Sequence, residues 1–220
     1  MKTLKNIAIF GTGGFGKEIA CLINLINEAS EEPEWNFIGF FDDDSSKWGK
    51  EVSHYGMCLG GMNELNSWAN PLSVAIAIGN PDAIKATSER ITNPNVEFPN
   101  LIAPTVTFLD RNAVTFGKGN IICSRCLVSC DITIGDFNIF NGYITLGHDA
   151  IIGNCNVFMP ASKISGNVAI GNYNFMGLQS AILQKLKIGN NVKVGANSVI
   201  MRPTKDGYLY IGNSAKKTVL

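Results

Sequence analysis

Apolar residues recur every six positions through the C-terminal half of the chain, and this spacing constrains the fold more than any other feature. The series begins at Ile122 and ends at Ile200, and each of its fourteen positions is apolar. A helix would need apolar residues at spacings of three and four, which these segments lack. Sandwich strands are longer, with turn signals about every 8–12 residues. The spacing therefore predicts a stack of short strands, a β-solenoid.

Short motifs also recur every eighteen residues. The triplet Ile134-Gly135-Asp136 is followed at this spacing by Ile152-Gly153-Asn154, Ile170-Gly171-Asn172 and Ile188-Gly189-Asn190. Three hexads therefore make one coil, with three short sides and three corners. Because Gly, Asn and Asp tolerate positive φ, we expect these residues to provide the left-handed turns at the corners.

Three asparagines share one register of the coil. Asn138, Asn156 and Asn174 are eighteen residues apart, and stacked coils would let their amides form a hydrogen-bonded ladder. An earlier apolar set keeps the six-residue step in a different phase, and its members are Val96, Ile102, Phe108 and Val114. The change of phase predicts a two-residue insertion, which we place near residues 117–119.

The first 95 residues carry a different pattern. A predicted buried strand at 7–10 precedes the glycine-rich turn 11–16 and a helix from 17 to about 27. Strand, GxGxxG and helix in this order are typical of a nucleotide-binding turn. Further predicted strands at 37–41 and 74–78, and a helix at 81–91, indicate a small doubly wound sheet. Its ligand should lie outside the carboxyl ends of the strands.

We therefore divide the chain into a small Rossmann-like α/β domain, residues 1–95, and an all-β parallel β-helix domain, residues 96–220. A tight turn without a ligand is one alternative for the glycine-rich segment. Binding of NAD is another, because Asp42 follows the second strand and could hold a ribose. Since 95 residues are too few for the usual two-half dinucleotide fold, hydride chemistry is disfavoured.

Charge and hydrophobicity limit the classes of partner. Eighteen basic and eighteen acidic residues cancel, so nothing favours a general nucleic-acid or anionic-membrane surface. The sequence has no run of eighteen apolar residues and no signal peptide. We therefore expect no membrane span and a cytoplasmic location.

Six cysteines could indicate disulfides or a metal. The length of the chain and the missing export signal disfavour a disulfide framework. Cys123, Cys126 and Cys130 lie close together, but a zinc site needs about four ligands and neither histidine neighbours them in sequence. We favour structural thiols, with Cys126 at a small inward position of the repeat.

Two histidines are candidates for proton transfer. His54 lies in a polar, loop-like stretch and is expected at the surface, whereas His148 follows the inward Leu146 by two positions. Histidine can accept a proton near neutral pH, and the neighbouring Asp149 would favour the protonated imidazole. Adjacent residues on a flat strand point apart, so the contact requires a corner. From these residues alone, a solvated and a catalytic His-Asp corner are equally open.

An ordered set of motifs resembles the hexapeptide-repeat sugar acetyltransferases that include sialic acid O-acetyltransferase and UDP-N-acetylbacillosamine N-acetyltransferase. The glycine-containing hexads carry part of the resemblance. The other motifs are GTGGFGKE at 11–18, Phe41-Asp42-Asp43, Ala77-Ile78-Gly79-Asn80, Asn100-Leu101-Ile102, Gly147-His148-Asp149 and Gly212-Asn213-Ser214-Ala215-Lys216. Together they cover essentially the whole chain.

The resemblance implies a left-handed β-helix and a homotrimer. Acetyl-CoA would lie between neighbouring β-helices, and a sugar or nucleotide-sugar acceptor would contact the N-terminal domain. His148 matches the general base, Asp149 its acidic neighbour, and Gly166 would offer a backbone N–H near the thioester. The resemblance places Gly177, Leu178, Gly195 and Ala196 along the pantetheine path. For the acceptor it places Gly13, Gly14, Phe15, Asp42, Asp43, Gly79 and Asn80.

The sequence departs from the family pattern at three positions. Phe15 stands where several relatives have histidine, and Val157 where at least one relative has a second histidine near acetyl-CoA. Ser214 stands where proline is usual. These departures affect the expected acceptor more than the expected reaction, which is direct acetyl transfer to a sugar amine or hydroxyl in surface glycan biosynthesis. The expected reaction needs no metal and no cysteine nucleophile.

Two other functional classes are compatible with a solenoid. A zinc hydratase like the γ-class carbonic anhydrases would need three ligand histidines, and the repeat contains one. A non-catalytic sugar-nucleotide-binding scaffold is the second alternative, because function cannot be inferred from fold alone.

Overall fold

The computed structural model describes residues 4–212, which form an α/β domain followed by a β-helix. In chain order the first domain contains β1 (Lys5–Phe10), α1 (Gly14–Glu28), β2 (Trp35–Phe41), a 3-10 turn (Ser45–Lys47), β3 (Cys58–Gly60), α2 (Met62–Asn66), β4 (Leu72–Ile76), α3 (Pro81–Arg90) and β5 (Val96–Glu97). The strands form one parallel sheet in the order β3-β2-β1-β4-β5. The predicted doubly wound sheet is confirmed, although β3, α2 and β5 were not expected.

The central strand and its helix form as their sequences require. In β1 the residues Ile7, Ala8 and Ile9 are fully buried, because a parallel strand flanked by other elements is covered on both faces. Helix α1 buries Ile19 and Ile23 on one side, which matches the spacing of an amphipathic helix. The glycine-rich turn is thereby fixed between a buried strand and a packed helix.

From Leu101 the chain winds into coils whose short strands form three parallel sheets, called the first, second and third faces. The first face contains Leu101–Ile102, Ile121–Ile122, Ile139–Phe140, Val157–Phe158, Phe175–Met176, Lys193–Val194 and Leu209–Tyr210. The second contains Thr107–Phe108, Leu127–Val128, Thr145–Leu146, Lys163–Ile164, Ala181–Ile182 and Val199–Ile200. The third contains Val114–Phe116, Ile132–Ile134, Ile151–Ile152, Ala169–Ile170 and Lys187–Ile188.

The six-residue series forms the core of the β-helix, as predicted. All fourteen of its members belong to one buried apolar cluster, from Ile122 at 0% exposure to Ile200 at 5%. Within that core the rings of Phe140 and Phe158 stack with centroids 4.8 Å apart. Each coil therefore contributes three members of the series, which pack on those of the neighbouring coils.

The corners differ from the prediction. The residues with positive φ lie three positions after each inward residue, and they run from Arg125 to Asn197 in steps of six. They include bulky side chains such as Phe137 (φ 55°) and Tyr143 (φ 64°). Their backbone N–H groups donate to the preceding coil, for example from Phe137 to the Lys118 carbonyl at 2.8 Å. This bond helps to offset the cost of a left-handed residue, about 1–2 kcal/mol.

The recurring corner glycines, which we expected to provide positive φ, serve a different purpose. Gly135, Gly153, Gly171 and Gly189 have negative or extended φ. A Cβ at Gly171 would lie 2.6 Å from both the Gly189 carbonyl oxygen and Asn190 Oδ1 of the next coil. The glycines are therefore required because successive coils approach closely.

The predicted asparagine ladder is present and fully buried. Asn156 Nδ2 donates to Asn138 Oδ1 at 2.9 Å, and Asn174 Nδ2 donates to Asn156 Oδ1 at the same distance. The ladder extends one coil further to Asn120, which the sequence pattern did not include. The amides also bond to backbone groups at the corner, since Asn138 and Asn156 Nδ2 donate to carbonyl oxygens of the following coil and Asn174 Oδ1 accepts from Val192 N–H.

Replacing Asn156 by alanine is expected to lower the free energy of unfolding by about 3 kcal/mol, because partners in the coils on both sides lose hydrogen bonds while buried. Asn154→Ala is the matched control: its side chain is exposed and accepts one bond, from Asp136 N–H at 2.7 Å. Urea denaturation of both variants tests the difference. Equal losses would contradict a special contribution from the buried ladder.

The two-residue insertion lies earlier than we predicted. Phe108 pairs with Val128, twenty residues away, whereas Phe116 pairs with Ile134 at the regular spacing of eighteen. The extra residues therefore lie between Phe108 and Phe116, and the segment 117–119 is an ordinary corner with Gly119 at φ 68°. Placing the insertion at 117–119 was wrong because the six-residue spacing alone did not reveal on which side of the strand Val114–Phe116 the extra residues lie.

The edge strand β5 changes the assignment of Val96. We placed Val96 in the earlier apolar set of the repeat, but it pairs with Leu72 at the edge of the N-terminal sheet. The first coil strand is Leu101–Ile102. We therefore propose that the domain boundary lies between residues 97 and 101 rather than at 95/96.

The two domains share an apolar junction. One buried cluster contains Ile19 and Val74 of the first domain together with Ile121, Ile139 and Val157 of the first face. None of the helices within residues 4–212 has the length and apolar character needed to cross a bilayer.

Candidate active site

Three loops meet at the carboxyl edge of the N-terminal sheet, because β1, β2 and β4 are adjacent and parallel. The residues that follow these strands include Gly13, Gly14, Phe15, Asp42, Asp43, Gly79 and Asn80. The structure therefore brings the seven predicted acceptor residues to one edge. The Asn80 side chain is already used as the N-cap of α3, where its Oδ1 accepts from Ala83 N–H at 3.0 Å.

A cavity of about 310 Å³, called the α3 cavity, opens between the glycine-rich turn and α3. It is lined by Phe10, Gly11, Asp42, Asp43, Ile78, Ala83, Ala86, Thr87 and Arg90. The Arg90 guanidinium donates to both carboxylate oxygens of Asp43, at 2.6 and 3.1 Å. A fixed cation–anion pair beside apolar walls is the mixture of groups found in small-molecule sites.

Asp42 holds the glycine-rich turn in place. Its Oδ2 accepts from Thr12 N–H at 3.0 Å, the Thr12 hydroxyl at 2.5 Å and Lys47 Nζ at 3.1 Å. Its Oδ1 accepts from Asp44 N–H at 2.9 Å. Partial burial opposes ionisation, but the bonds from Thr12, Asp44 and Lys47 prevail and lower the pKa of Asp42 to about 2. These contacts give Asp42 a bracing role, while direct contact with an acceptor remains a prediction.

Replacing Asp42 by asparagine is expected to destabilise the fold at pH 7 by about 1–3 kcal/mol, because hydrogen bonds to a charged group are lost. The folded pKa of Asp42 is lowered, so its contribution is present above the unfolded pKa near 3.9 and is lost as pH falls toward 2. Urea denaturation should give a constant difference from wild type between pH 7 and 5 and a smaller one at pH 3. A difference that does not change at pH 3 would contradict the assignment.

A second cavity, of about 240 Å³, lies where the two domains meet and is called the junction cavity. It is lined by Phe15, Glu18, Gly79, Ile139, Asn141, Met159 and Pro160. Phe15 therefore gives an aromatic wall at the position where relatives were expected to carry histidine. Val157, the other departure, is fully buried in the apolar junction.

His148 lies at a corner between the second and third faces, as predicted. Its Nδ1 is 2.6 Å from Asp149 Oδ2. Asp149 has φ 56° and donates its N–H to the Cys130 carbonyl at 3.1 Å. The left-handed turn is what brings the two adjacent side chains together. With Nδ1 held by the carboxylate, Nε2 is the ring atom left to exchange a proton.

The imidazole of His148 lies over Gly166 of the next coil. A Cβ built on Gly166 would lie 2.6 Å from the Cε1 atom of the ring. The N–H of Gly166 has no acceptor among residues 4–212, whereas the flanking Ser165 and Asn167 N–H groups are bonded to neighbouring coils. A free backbone donor and an imidazole thus lie side by side on one corner.

The residues predicted along the pantetheine path lie at a different corner. Gly177 and Leu178 follow the first-face strand Phe175–Met176, and Gly195 and Ala196 follow Lys193–Val194. They therefore line the corner between the first and second faces. Gly142 lies at the same corner, and Leu178 and Ala196 follow it two and three coils further along the β-helix. The second face separates them from His148, Asp149 and Gly166, so one chain does not bring the two groups together.

Five of the six cysteines are buried or partly buried, and Cys21, on α1, is exposed. Burial raises the pKa of Cys123 to about 12 and that of Cys126 to about 11. Cys126 is 1% exposed, at the inward position expected for it. In the part of the chain that the structure describes, no group of three His, Cys, Asp or Glu side chains is placed to hold a metal.

Several polar residues at the carboxyl edge were missed by the sequence analysis. Arg90 was missed because its partner Asp43 is 47 positions away. Glu18 was missed because the junction cavity that it lines is completed by residues of the other domain. For Lys17 the signal was available, since it directly follows the glycine-rich motif. The predicted 213–216 part of the terminal motif, including Ser214, lies outside the described residues.

Comparison with known proteins gives the same two-domain architecture. Residues 6–91 match the family model described as the PglD N-terminal domain. The acetyltransferase domain of PglB from Neisseria gonorrhoeae FA1090, in complex with acetyl coenzyme A, is 25% identical with a TM-score of 0.83, covering 98% of this chain and 100% of that one. WeeI from Acinetobacter baumannii AYE is 25% identical with a TM-score of 0.81, covering 97% and 99%.

A third solved structure has the same fold. PerB from Caulobacter crescentus, in complex with CoA and GDP-perosamine, is 23% identical with a TM-score of 0.79, covering 96% of this chain and 95% of that one. No curated protein sequence matches the chain significantly. The predicted fold class, an α/β domain followed by a left-handed parallel β-helix, is confirmed.

Proposed function

We propose that this chain, which belongs to the hexapeptide-repeat sugar acetyltransferases, transfers an acetyl group from acetyl-CoA to an amino or hydroxyl group of a nucleotide-linked sugar. His148 is the general base, and the product serves surface glycan biosynthesis. The observation that carries the proposal is the 2.6 Å contact of His148 Nδ1 with Asp149 at a corner that also presents the free N–H of Gly166.

Each group at the corner has a role in the transfer. Asp149 holds His148 Nδ1 and fixes the orientation of the ring. Nε2 of His148 accepts the proton from the sugar amine or hydroxyl as that atom forms a bond to the thioester carbonyl carbon. The C–S bond then breaks, and coenzyme A leaves as the thiolate. The N–H of Gly166 donates to the oxyanion, a kind of interaction that is worth about 10²–10³ in rate at comparable sites.

The separation of the predicted residues supports a site shared between copies of the chain. Gly177, Leu178, Gly195 and Ala196 would hold pantetheine at one corner, while His148 and Gly166 lie at another. If two β-helices pack side by side, the corner of one copy faces the other corner of its neighbour. A homotrimer closes three such grooves with one type of interface. The partners are therefore acetyl-CoA, the acceptor and two further copies of this chain.

The N-terminal domain supplies the acceptor site. The α3 cavity, with the ion pair of Asp43 and Arg90, is suited to a nucleoside. The junction cavity beside Phe15 and Gly79 is suited to the sugar. Because both cavities adjoin the same glycine-rich turn, one extended ligand can occupy them together.

A panel of acceptors with labelled acetyl-CoA tests the proposal. UDP-4-amino sugars, CMP-sialic acid and free sialic acid are incubated with the enzyme, and product masses identify the acceptor class and the acetylated atom. We expect transfer to a nucleotide-linked sugar. No acetylated product from any acceptor, with acetyl-CoA also failing to raise the melting temperature, would favour a non-catalytic sugar-nucleotide-binding scaffold instead.

A further inference from the structure

An exposed tyrosine stands at the corner between the first and second faces, in the same coil as His148. Tyr143 is 56% exposed, belongs to neither apolar cluster and has φ 64°, a conformation that is costly for an aromatic residue. Its hydroxyl accepts from Arg125 Nη1 at 3.0 Å, and the guanidinium lies 5.6 Å from the ring centroid. Arg125 therefore fixes an aromatic side chain that its own chain does not use for packing.

Two carboxylates occupy the corresponding position at the corner between the second and third faces, called the His148 corner. Asp131 and Asp149 are eighteen residues apart, and both have φ 56°. Asp149 Oδ2 contacts His148 Nδ1, whereas Asp149 Oδ1 receives no hydrogen bond within residues 4–212. In the same range, neither Asp131 nor Arg125 has an ion-pair partner. Since each carboxylate oxygen can accept hydrogen bonds, this corner presents unused acceptors to a neighbouring surface.

The two corners match each other level by level. Arg125 precedes Asp131 by six positions, and Tyr143 precedes Asp149 by six, so each pair belongs to one coil. Six residues are a third of a coil and give a rise of about 1.6 Å, because paired strands lie about 4.8 Å apart. In a ring of parallel β-helices, heights along the axis are preserved from copy to copy. Arg125 then lies level with Asp131 of the next copy, and Tyr143 with Asp149.

The groups that would face each other are chemically complementary. The Arg125 guanidinium has N–H donors beyond the one that Tyr143 accepts, and the Tyr143 hydroxyl still has its own proton to donate. Within one chain the strand Thr145–Leu146 separates the two corners. One coil further along the β-helix the two positions hold Ala161 and Asn167, so no like charges oppose each other there. A second copy of this chain therefore fits the surface formed by Arg125 and Tyr143.

We propose that Arg125 of one copy pairs with Asp131 of the next, and that this contact brings the Tyr143 hydroxyl to Oδ1 of Asp149 in that next copy. A donor on Oδ1 fixes the carboxylate that holds His148 Nδ1, and so keeps Nε2 directed at the acceptor. Tyr143 is thus a positioning residue supplied by a second copy, and it does not touch the reacting atoms. This inference rests on the proposed function and makes the base of that reaction dependent on assembly.

Tyr143→Phe removes only the hydroxyl and tests the positioning role. We expect kcat to fall about tenfold, since one hydrogen bond to a charged group is lost, while both KM values and the oligomeric state stay unchanged. Tyr208→Phe is the matched control, because Tyr208 is 60% exposed and lies at neither corner. Equal kcat in the two variants, or a raised KM at unchanged kcat in Tyr143→Phe, would overturn the role.

Mixed assemblies show whether Tyr143 acts across the interface. Tyr143→Phe copies are co-expressed with an excess of His148→Ala copies, and assemblies containing both are isolated through two affinity tags. A groove between unlike copies then combines His148 of the first with Tyr143 of the second. The value of kcat per intact His148 should rise from about one tenth to near that of wild type. No rise would overturn the contact between copies.

Sedimentation tests the contact without requiring turnover. Arg125→Asp and Asp131→Arg are each expected to weaken self-association about tenfold or more, because like charges then face each other, and the double variant should restore it. Restoration in a protein that acetylates no acceptor would support the contact while refuting the transferase function. Unchanged association in the single variants, or a double variant that associates no better than they do, would overturn the contact even in an active acetyltransferase.

Discussion

Replacing His148 by alanine is expected to lower kcat for acetyl transfer by about 10²–10⁴-fold, the usual range for loss of a general base. The KM values for acetyl-CoA and for the sugar should change little, because the imidazole acts on the transferred proton and not on substrate binding. The side chain is 60% exposed, so its removal should leave the fold and its melting temperature nearly unchanged. Steady-state kinetics with a coupled thiol assay measure the effect.

His54→Ala is the matched control for this experiment. His54 is the other histidine of the chain and lies in the exposed loop before Tyr55, against whose ring it packs at 4.1 Å. Its loss should leave kcat within about twofold, as for a surface residue far from the chemistry. A loss of less than about tenfold in a folded His148→Ala protein would remove His148 as the base. Equal losses in both variants would point to an indirect effect.

The β-helix core could be predicted from the sequence because its order is local and repetitive. Each inward residue has its neighbours six and eighteen positions away, so a single period determines which side chains pack together. The asparagine ladder followed from the same register. The position of the insertion did not, because Val114 lies six positions after Phe108 and Phe116 lies six before Ile122, and only strand pairing reveals that Phe116 keeps the later register.

The corners were harder to predict because their conformation is imposed by neighbouring coils. Propensity assigns positive φ to Gly and Asn, yet Phe137 and Tyr143 adopt it and Gly171 does not. Hydrogen bonds to the preceding coil determine which residue of each corner adopts the left-handed conformation. Glycine is required at a different position, where neighbouring coils leave no room for a Cβ. The clustering of Lys17, Lys47 and Lys50 around one cavity was missed for a related reason, because they belong to three segments that only the folded sheet edge brings together.

The His148 corner depends partly on residues that the sequence identifies and partly on contacts that only the stacked coils create. The sequence identified His148 and Asp149 and predicted that their contact requires a turn. The structure contains this turn, because Asp149 adopts a left-handed conformation with φ 56°. The sequence could not reveal that the ring lies over Gly166 in the following coil. That contact depends on the stacking of coils, which brings together residues eighteen positions apart.

Gly166→Ala is expected to lower kcat/KM by about 10²-fold, a loss that displacement of a reacting group by about 1 Å can cause. The new Cβ would lie 2.6 Å from His148 Cε1, so the ring has to swing away from the free N–H of Gly166 and from its contact with Asp149. Because the imidazole can move into solvent, the melting temperature should fall only slightly.

Gly142→Ala separates this steric effect from a general cost of alanine in the coil. Gly142 occupies the same place in its hexad as Gly166, two residues after an inward side chain, but the nearest atom to its added Cβ is the Ser124 carbonyl oxygen at 3.3 Å. That variant should keep kcat/KM within a few fold. If Gly166→Ala were as active as Gly142→Ala, the ring would tolerate displacement and Gly166 would not position it. If Gly166→Ala lost activity to the same extent as His148→Ala, with no further loss in the double variant, the two residues would act as one unit.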